Sequence, residues 1–396
     1  GPRGGGVEWG HNTHELVSRL LSAKMQREGA LRVLTTDGEF YSLTRQLNML
    51  AKHARGLVVP DDADEYLLQN HEASGLGLPS KNLVSTDGLH IDYVSVEPAD
   101  TFPSRFALAA ASRSGRYNFV YCSQVAFATQ QTIIPDINTF SSSVHTALSR
   151  GRGPLAAPLQ DPDDHPYLVV DGYHAFCAVP TTIDPHQRVF YLGGLLKHAA
   201  CGPNAAFVTV PPGVRPRPLL TGWLADPAVL QPGSEGVRMG DEAEFEKGAA
   251  LMGGTPAFGP ALGVFCEVMA RWVVLGITVA GVHSHVMSLH EALLRRVPAE
   301  GPISKSTLVP VQDEGFRSHT VCFRLGSAEV ASATVSLLGK HGVRVDARGE
   351  VVRVGFGFGH SVADVDRLLG VLGECFGAAA PQAPPREVGG EAAGLG

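Results

Sequence analysis

The sequence predicts an α/β protein: a large domain built on a mainly parallel sheet, followed by a small α+β domain at the C-terminal end. Three observations carry this. Leu31-Arg32-Val33-Leu34-Thr35-Thr36 reads as a short strand and is followed by a turn and a helix through Leu50, the order of α/β architecture. Tyr167-Leu168-Val169-Val170 is apolar without alternation, as a strand covered on both faces of a parallel sheet is. Residues 320–376 alternate short apolar runs with helical patterns, which describes a separate, smaller unit.

Taken in order, residues 1–9 are Gly-rich and read as a scar or fragment edge, outside the folded chain. Leu16, Val17, Leu20 and Leu21 then follow helical periodicity, and Asn12 or Thr13 is a good N-cap. A large domain over residues 10–290 contains two insertions, at about 56–90 and 149–166, where turn residues and acidic groups replace periodic apolar ones. Tyr93–Val96 and Phe119–Gln124 read as strands, with a helix near 102–113 between them. Val189–Leu192 and Ala205–Val210 are two further strands, and residues 260–272 and 277–296 are helical in pattern. Residues 298–306 read as a hinge. The small domain covers 300–377, with strands at 320–323, 343–345 and 351–354 and helices near 327–340 and 361–376. Residues 378–396 have the composition of a disordered tail.

The 396-residue chain is 44% hydrophobic and 18% charged, so it can bury a sizeable core. A net charge of −7 and the lack of a Lys/Arg run argue against a nucleic-acid surface. No apolar stretch approaches the length that spans a membrane. Six cysteines without a CxxC pair or zinc-like spacing argue against a disulfide framework or metal site, and fit a reducing, cytoplasmic location.

Two segments carry chemistry. Tyr191-Leu192-Gly193-Gly194-Leu195-Leu196-Lys197 sets one lysine between a Gly-Gly pair and the Gly202-Pro203 turn, with apolar neighbours. Desolvation lowers an amine's pKa and frees it to attack a carbonyl, so Lys197 reads either as a desolvated nucleophile or as a surface lysine on a Gly-bounded loop, and Asp171 upstream favours the first. Asp171-Gly172-Tyr173-His174 closes the apolar run at 167–170, and ligands of open α/β sheets bind beyond the carboxyl ends of strands. The helix start at Asn12-Thr13 is an anion seat.

These segments, in this order, resemble the fold-type I pyridoxal-phosphate enzymes of the aminotransferase class V group, and within it the kynureninase-like branch. The resemblance covers about His11 to Phe376 and implies a three-layer large domain, pyridoxal 5'-phosphate as cofactor and a homodimer with the active site near its interface. It implies that Lys197 is the Schiff-base lysine and proton shuttle. Asp171 would pair with the pyridine nitrogen, and His174 would support that carboxylate or the cofactor's hydroxyl side. Asn12 and Thr13 would bind the phosphate, with Trp223 of Thr221-Gly222-Trp223 and Thr255 of Gly253-Gly254-Thr255-Pro256 completing that site. Phe40 would stack on the cofactor face, Gln124 would lie near its phenolic oxygen, and Arg353 would grip the substrate carboxylate with its planar guanidinium.

The sequence departs from the branch at three places. Leu196 stands where kynureninases have Tyr, and Leu43 where they have Asp. The N-terminal segment that family members carry before the phosphate-binding helix is not present in this sequence. Cysteine desulfurases, a neighbouring branch, need a cysteine shortly before the carboxylate-binding arginine, and none lies between Cys322 and Cys375. The expected function is therefore kynureninase-like hydrolytic cleavage of an α-amino acid side chain, releasing alanine. A class V aminotransferase or another pyridoxal-phosphate lyase is the alternative, and a non-catalytic relative that keeps the fold is a further one.

Overall fold

The structure, a computed structural model, describes residues 6–54, 84–86, 89–112, 117–150, 159–226, 250–311 and 313–377, with a few single positions between 230 and 245. Most of the insertion expected at 56–90, part of that at 149–166 and the tail beyond 377 lie outside the described residues.

Eight strands form one sheet in the order β1-β8-β7-β6-β5-β2-β4-β3. Its centre is parallel: β4 (Leu89–Val94), β2 (Leu31–Thr36), β5 (Phe119–Ser123), β6 (Tyr167–Asp171) and β7 (Val189–Gly194) run the same way. Antiparallel strands close both edges: β3 (Val84–Thr86) on one side, β8 (Ala206–Val210) and then β1 (Gly6–Gly10) on the other. Residues 6–9, read as a fragment edge, are thus part of the sheet, which corrects that reading. Trp9 pairs with Phe207 in register, and its indole packs on that ring.

Alternation along the central strands builds three layers. Val33, Phe119, Tyr121, Val169 and Leu192 face one side, where they meet Leu16, Val17, Leu20 and Leu21 of α1 (Thr13–Glu28) and Leu43 and Leu47 of α2 (Tyr41–Ala54). Leu34, Val120, Cys122, Leu168 and Val170 face the other, under Phe102 and Phe106 of α3 (Phe102–Ser112) and Phe140 and Val144 of α4 (Ile137–Arg150). The strands are covered on both faces, which is why they read as unbroken apolar runs. Asn12 caps α1 by accepting the Glu15 N–H at 2.9 Å, and Gly29 ends it in the left-handed conformation at φ 63°.

The chain divides into two compact units. The first holds the large sheet and includes residues 310–320; the second is residues 285–309 and 321–396. In the second, β9 (Thr320–Arg324), β10 (Asp346–Arg348) and β11 (Val351–Gly355) form a sheet in the order β10-β11-β9. Its core is Val286, Leu289 and Leu293 of α6 (Val279–Arg296), Leu338 of α7 (Ala328–Lys340), Val352 and Val354, and Leu368 and Leu372 of α8 (Val362–Phe376).

Two strand positions differ from the sequence reading. β10 lies at 346–348, not 343–345, because Arg348 pairs with Val351 across a hairpin whose turn begins at Gly349, φ 52°. The strand expected at 93–96 begins at Leu89, where it pairs with Leu31 of β2. α5 (Gly259–Leu275) leaves Val264, Val273, Val274 and Leu275 exposed. Among the described residues no single helix is long and apolar enough to cross a membrane.

Candidate active site

The parallel strands β2, β5, β6 and β7 end along one edge, and the residues at or just beyond those ends surround a cavity of about 420 Å³. Of the sequence candidates it brings together Asn12, Thr13, Phe40, Asp171, His174 and Lys197. Ser123, Phe127, Tyr173 and Leu196 also line it. Register explains the central pair: Ser123 is the β5 residue opposite Asp171 on β6, so the two strand ends present their side chains side by side.

Asp171 is buried. Its Oδ2 accepts the Tyr121 hydroxyl at 2.6 Å and its Oδ1 the Tyr173 N–H at 2.8 Å. Burial raises its pKa, and those two donors act in the opposite direction. The carboxylate is therefore supported by Tyr121, which sequence reasoning did not single out. The signal was available: Tyr121 lies two residues before Ser123 on one strand and so on the same face. His174, expected to support Asp171 or the cofactor's hydroxyl side, has Nδ1 2.9 Å from the Gln130 amide nitrogen.

A second buried carboxyl stands behind Ser123. Glu39 Oε1 accepts the Ser123 N–H at 3.0 Å and the Thr36 hydroxyl at 2.6 Å, and Oε2 lies 2.5 Å from Ser123 Oγ. Complete burial pushes its pKa up to about 7 against the hydrogen bonds, and the Asp171 charge adds to the rise. Glu39 was not anticipated from sequence, because a lone Glu in a turn carries no pattern.

The Gly193-Gly194 pair proves to be the end of β7. A Cβ at Gly194 would come within 2.0 Å of the Tyr173 ring, and one at Gly193 within 2.6 Å of Phe207. Only hydrogen at these positions lets Tyr173 lie over the strand end and line the cavity. Lys197 follows, but it is exposed at the cavity wall and not buried among apolar residues, a correction to the desolvation expected from its neighbours. The next residue, His198, is half-buried, and its imidazole is held down to about 4, by desolvation first and by the Lys197 charge second. Leu196 is 45% exposed and lines the cavity, so an apolar side chain and no hydroxyl stands beside the lysine.

Phe40 sits edge-on to Phe127 at 5.1 Å, with 42% of its surface open, so one ring face is available to a ligand. Asn12, Thr13 and His14 place the start of α1 against the same cavity. The first N–H groups of a helix have no intrahelical partner and favour an anion.

Three candidates of the first unit do not line the cavity. Gln124 is fully buried and turned away: its amide donates to Thr181 at 3.0 Å and accepts the Tyr191 hydroxyl at 3.2 Å. Strand alternation explains this, since Gln124 follows Ser123 and takes the opposite side. Trp223 is exposed and absent from the cavity lining, as is Thr255. The segments that carry them meet, though: a Cβ at Gly222 would fall 1.3 Å from the Gly253 carbonyl oxygen, and one at Gly253 would meet Arg19 and Glu15 of α1. Arg353 belongs to the second unit, where it is buried and its guanidinium is paired with Asp346, its register partner on β10.

One cavity thus offers an amine, a buried carboxylate held by two donors, an open aromatic face and a helix N-terminus. That donor set suits a planar cationic or aromatic ligand that carries an anion and a carbonyl.

No protein-family model matches the sequence, and no match was found among curated proteins. Solved structures do match. The apo cysteine desulfurase of Thermococcus onnurineus NA1 is 14% identical, with TM-score 0.57 over 93% of this chain and 78% of that one. The cystine C–S lyase C-DES in complex with its product cysteine persulfide is 14% identical, with TM-score 0.63 over 93% and 81%. A C-DES variant with glycine covalently linked to the PLP cofactor is 14% identical, with TM-score 0.61 over 93% and 80%. At these identities the likeness is one of fold. The chain has the fold-type I α/β architecture of these proteins.

Proposed function

We propose that this chain is a pyridoxal-phosphate enzyme acting on an α-amino acid, with Lys197 as the amine that joins the cofactor. The observation that carries the reading is that Lys197 and Asp171 open onto one cavity at the carboxyl ends of a fold-type I sheet. The residues fit the group. Phe40 offers a face to an aromatic ring, the start of α1 an anion seat, and Asp171 an acceptor for a protonated ring nitrogen. When bound, pyridoxal phosphate supplies an electron sink that stabilises a carbanion at the substrate Cα.

The chain's own residues then have distinct tasks. Asp171 holds a proton on the ring nitrogen; pairing with that cation offsets the burial that otherwise favours its neutral form. Lys197 would hold the cofactor through its Nζ and would move a proton at the substrate Cα. Asn12 and Thr13 orient the phosphate. Arg353 is carried as the residue for the substrate carboxylate on the resemblance alone, and Trp223, Thr255, His174 and Gln124 likewise remain assignments of the resemblance.

The kynureninase-like hydrolysis expected from sequence gives way to a broader reading. The similar structures named above are a cysteine desulfurase and a C–S lyase, and Leu196 lacks the hydroxyl of that branch. A lyase or aminotransferase reaction is the better-supported alternative. A desulfurase that stores sulfur on its own cysteine is disfavoured, since Cys322 is buried with its thiol pushed up to about 12 and no cysteine follows before Cys375. The exposed apolar face of α5 supports a homodimer, to be checked by sedimentation.

The test is a screen of amino acids with the cofactor-loaded protein, following each class of product. Ammonia with a keto acid reports elimination, a keto acid formed only when a keto-acid acceptor is supplied reports transamination, and alanine together with a carboxylic acid reports hydrolytic cleavage. Absence of every product, together with no visible absorption after addition of cofactor, would leave a non-catalytic relative.

A further inference from the structure

The Glu39–Ser123 pair has a polarity that the hydrogen-bond geometry assigns. Glu39 Oε1 accepts a backbone N–H, from Ser123, which can only donate. It also takes the Thr36 hydroxyl, whose own oxygen accepts the Gly38 N–H at 3.2 Å and so turns its proton toward Glu39. Oε1 is therefore an acceptor twice over, and a proton on this carboxyl must sit on Oε2. That oxygen faces Ser123 Oγ at 2.5 Å.

Two states follow. With Glu39 ionised, Ser123 donates its hydroxyl proton to Oε2 and turns lone pairs to the cavity it lines. With Glu39 neutral, Oε2 donates to Ser123 Oγ, and the serine proton is free to point into the cavity. We propose that Glu39 is a positioning residue that sets the hydrogen-bond polarity of Ser123, so that the neutral acid makes Ser123 a donor to an oxygen of the bound ligand. This rests on the cofactor reading for the ligand's identity, and it places Ser123 where Gln124 was expected to serve.

The carboxyl's environment supports switching near neutral pH. The titratable groups that act on or feel Glu39 are Asp171 on β6 and Tyr121 and Cys122 on β5; Tyr121 and Cys122 are pushed well above their ordinary values and stay neutral. Among the described residues, the charge of Asp171 opposes ionisation of Glu39.

The test compares wild type with Glu39→Gln, whose amide keeps both halves of the neutral pattern, and with Ser123→Ala. Pyridoxal phosphate affinity is measured at pH values either side of about 7. Wild type and Glu39→Gln should bind alike below that pH, and above it wild type should bind about tenfold more weakly than Glu39→Gln, the loss of one hydrogen bond to a charged ligand. Ser123→Ala should be weaker than Glu39→Gln by a similar factor at every pH. Equal pH dependence in wild type and Glu39→Gln would overturn the proposal. An infrared difference spectrum of cofactor-free wild type minus Glu39→Gln should contain a neutral carboxylic-acid carbonyl band at low pH, and Ser123→Ala should shift it. A band that Ser123→Ala leaves unmoved would overturn the proposal. Failure to bind pyridoxal phosphate at any pH would count against the cofactor reading, and the infrared result alone would then decide on Glu39.

Discussion

The Tyr121 hydroxyl donates to Asp171 Oδ2 at 2.6 Å, deep between β5 and β6. It is one of two groups that draw the Asp171 pKa back down against burial, the other being the Tyr173 N–H. Tyr121→Phe leaves Oδ2 without that donor and moves Asp171 further toward its neutral form. We expect a stability loss of about 1–3 kcal/mol in denaturant titration. Weaker binding of pyridoxal phosphate should accompany it, because a neutral Asp171 does not attract a protonated ring. Unchanged affinity would separate Tyr121 from the site.

Glu39 makes stability depend on pH. Its folded-state pKa stands at about 7, above the ordinary 4.5, so the folded chain holds a proton that the unfolded chain has lost across that window. Stability from this group therefore falls as pH rises from 4.5 to about 7. The Glu39→Gln variant has no such proton to lose. Thermal unfolding should find it close to wild type at low pH and more stable above about pH 7, by on the order of 3 kcal/mol.

Lys24 tests the far side of the same domain. It is fully buried on α1, with Nζ donating to the Asp163 carbonyl at 2.6 Å and to Glu28 at 3.1 Å, over the Tyr167 ring. Lys24→Ala leaves the buried Asp163 carbonyl without its donor, leaves Glu28 paired with Arg32 but not with Lys24, and opens a gap. The expected cost is about 3–5 kcal/mol by denaturant unfolding, with the cavity residues untouched.

Gly194 of β7 and Gly254 separate packing from chain freedom. Gly194→Ala drives a methyl into Tyr173 and should cost about 1–3 kcal/mol while disturbing the cavity wall. Gly254→Ala meets nothing within 4 Å and should be close to neutral. Circular dichroism melts of the two variants check the contrast.

The parallel centre of the sheet was legible because strands buried on both faces write uninterrupted apolar runs, as at 167–170. Asp171 and Lys197 were legible because they stand directly after such runs. β1 was not, since a Gly-rich opening has no strand propensity and is held by pairing with β8. α4 could have been found from Ile137, Phe140, Val144 and Leu148, whose spacing is helical. The partners Tyr121 and Glu39 needed three dimensions: one joins Asp171 across 50 residues and the other joins Ser123 across 84. The exposure of Lys197 was not decided by its apolar neighbours, because residues adjacent in sequence need not surround a side chain that leaves a bend after a strand.

The most direct test of the cofactor assignment is to add pyridoxal phosphate, reduce with borohydride, digest, and locate the modified peptide by mass spectrometry. The account predicts visible absorption that reduction abolishes and a phosphopyridoxyl group on Lys197. Label on a different lysine, or label undiminished in Lys197→Ala, would contradict it.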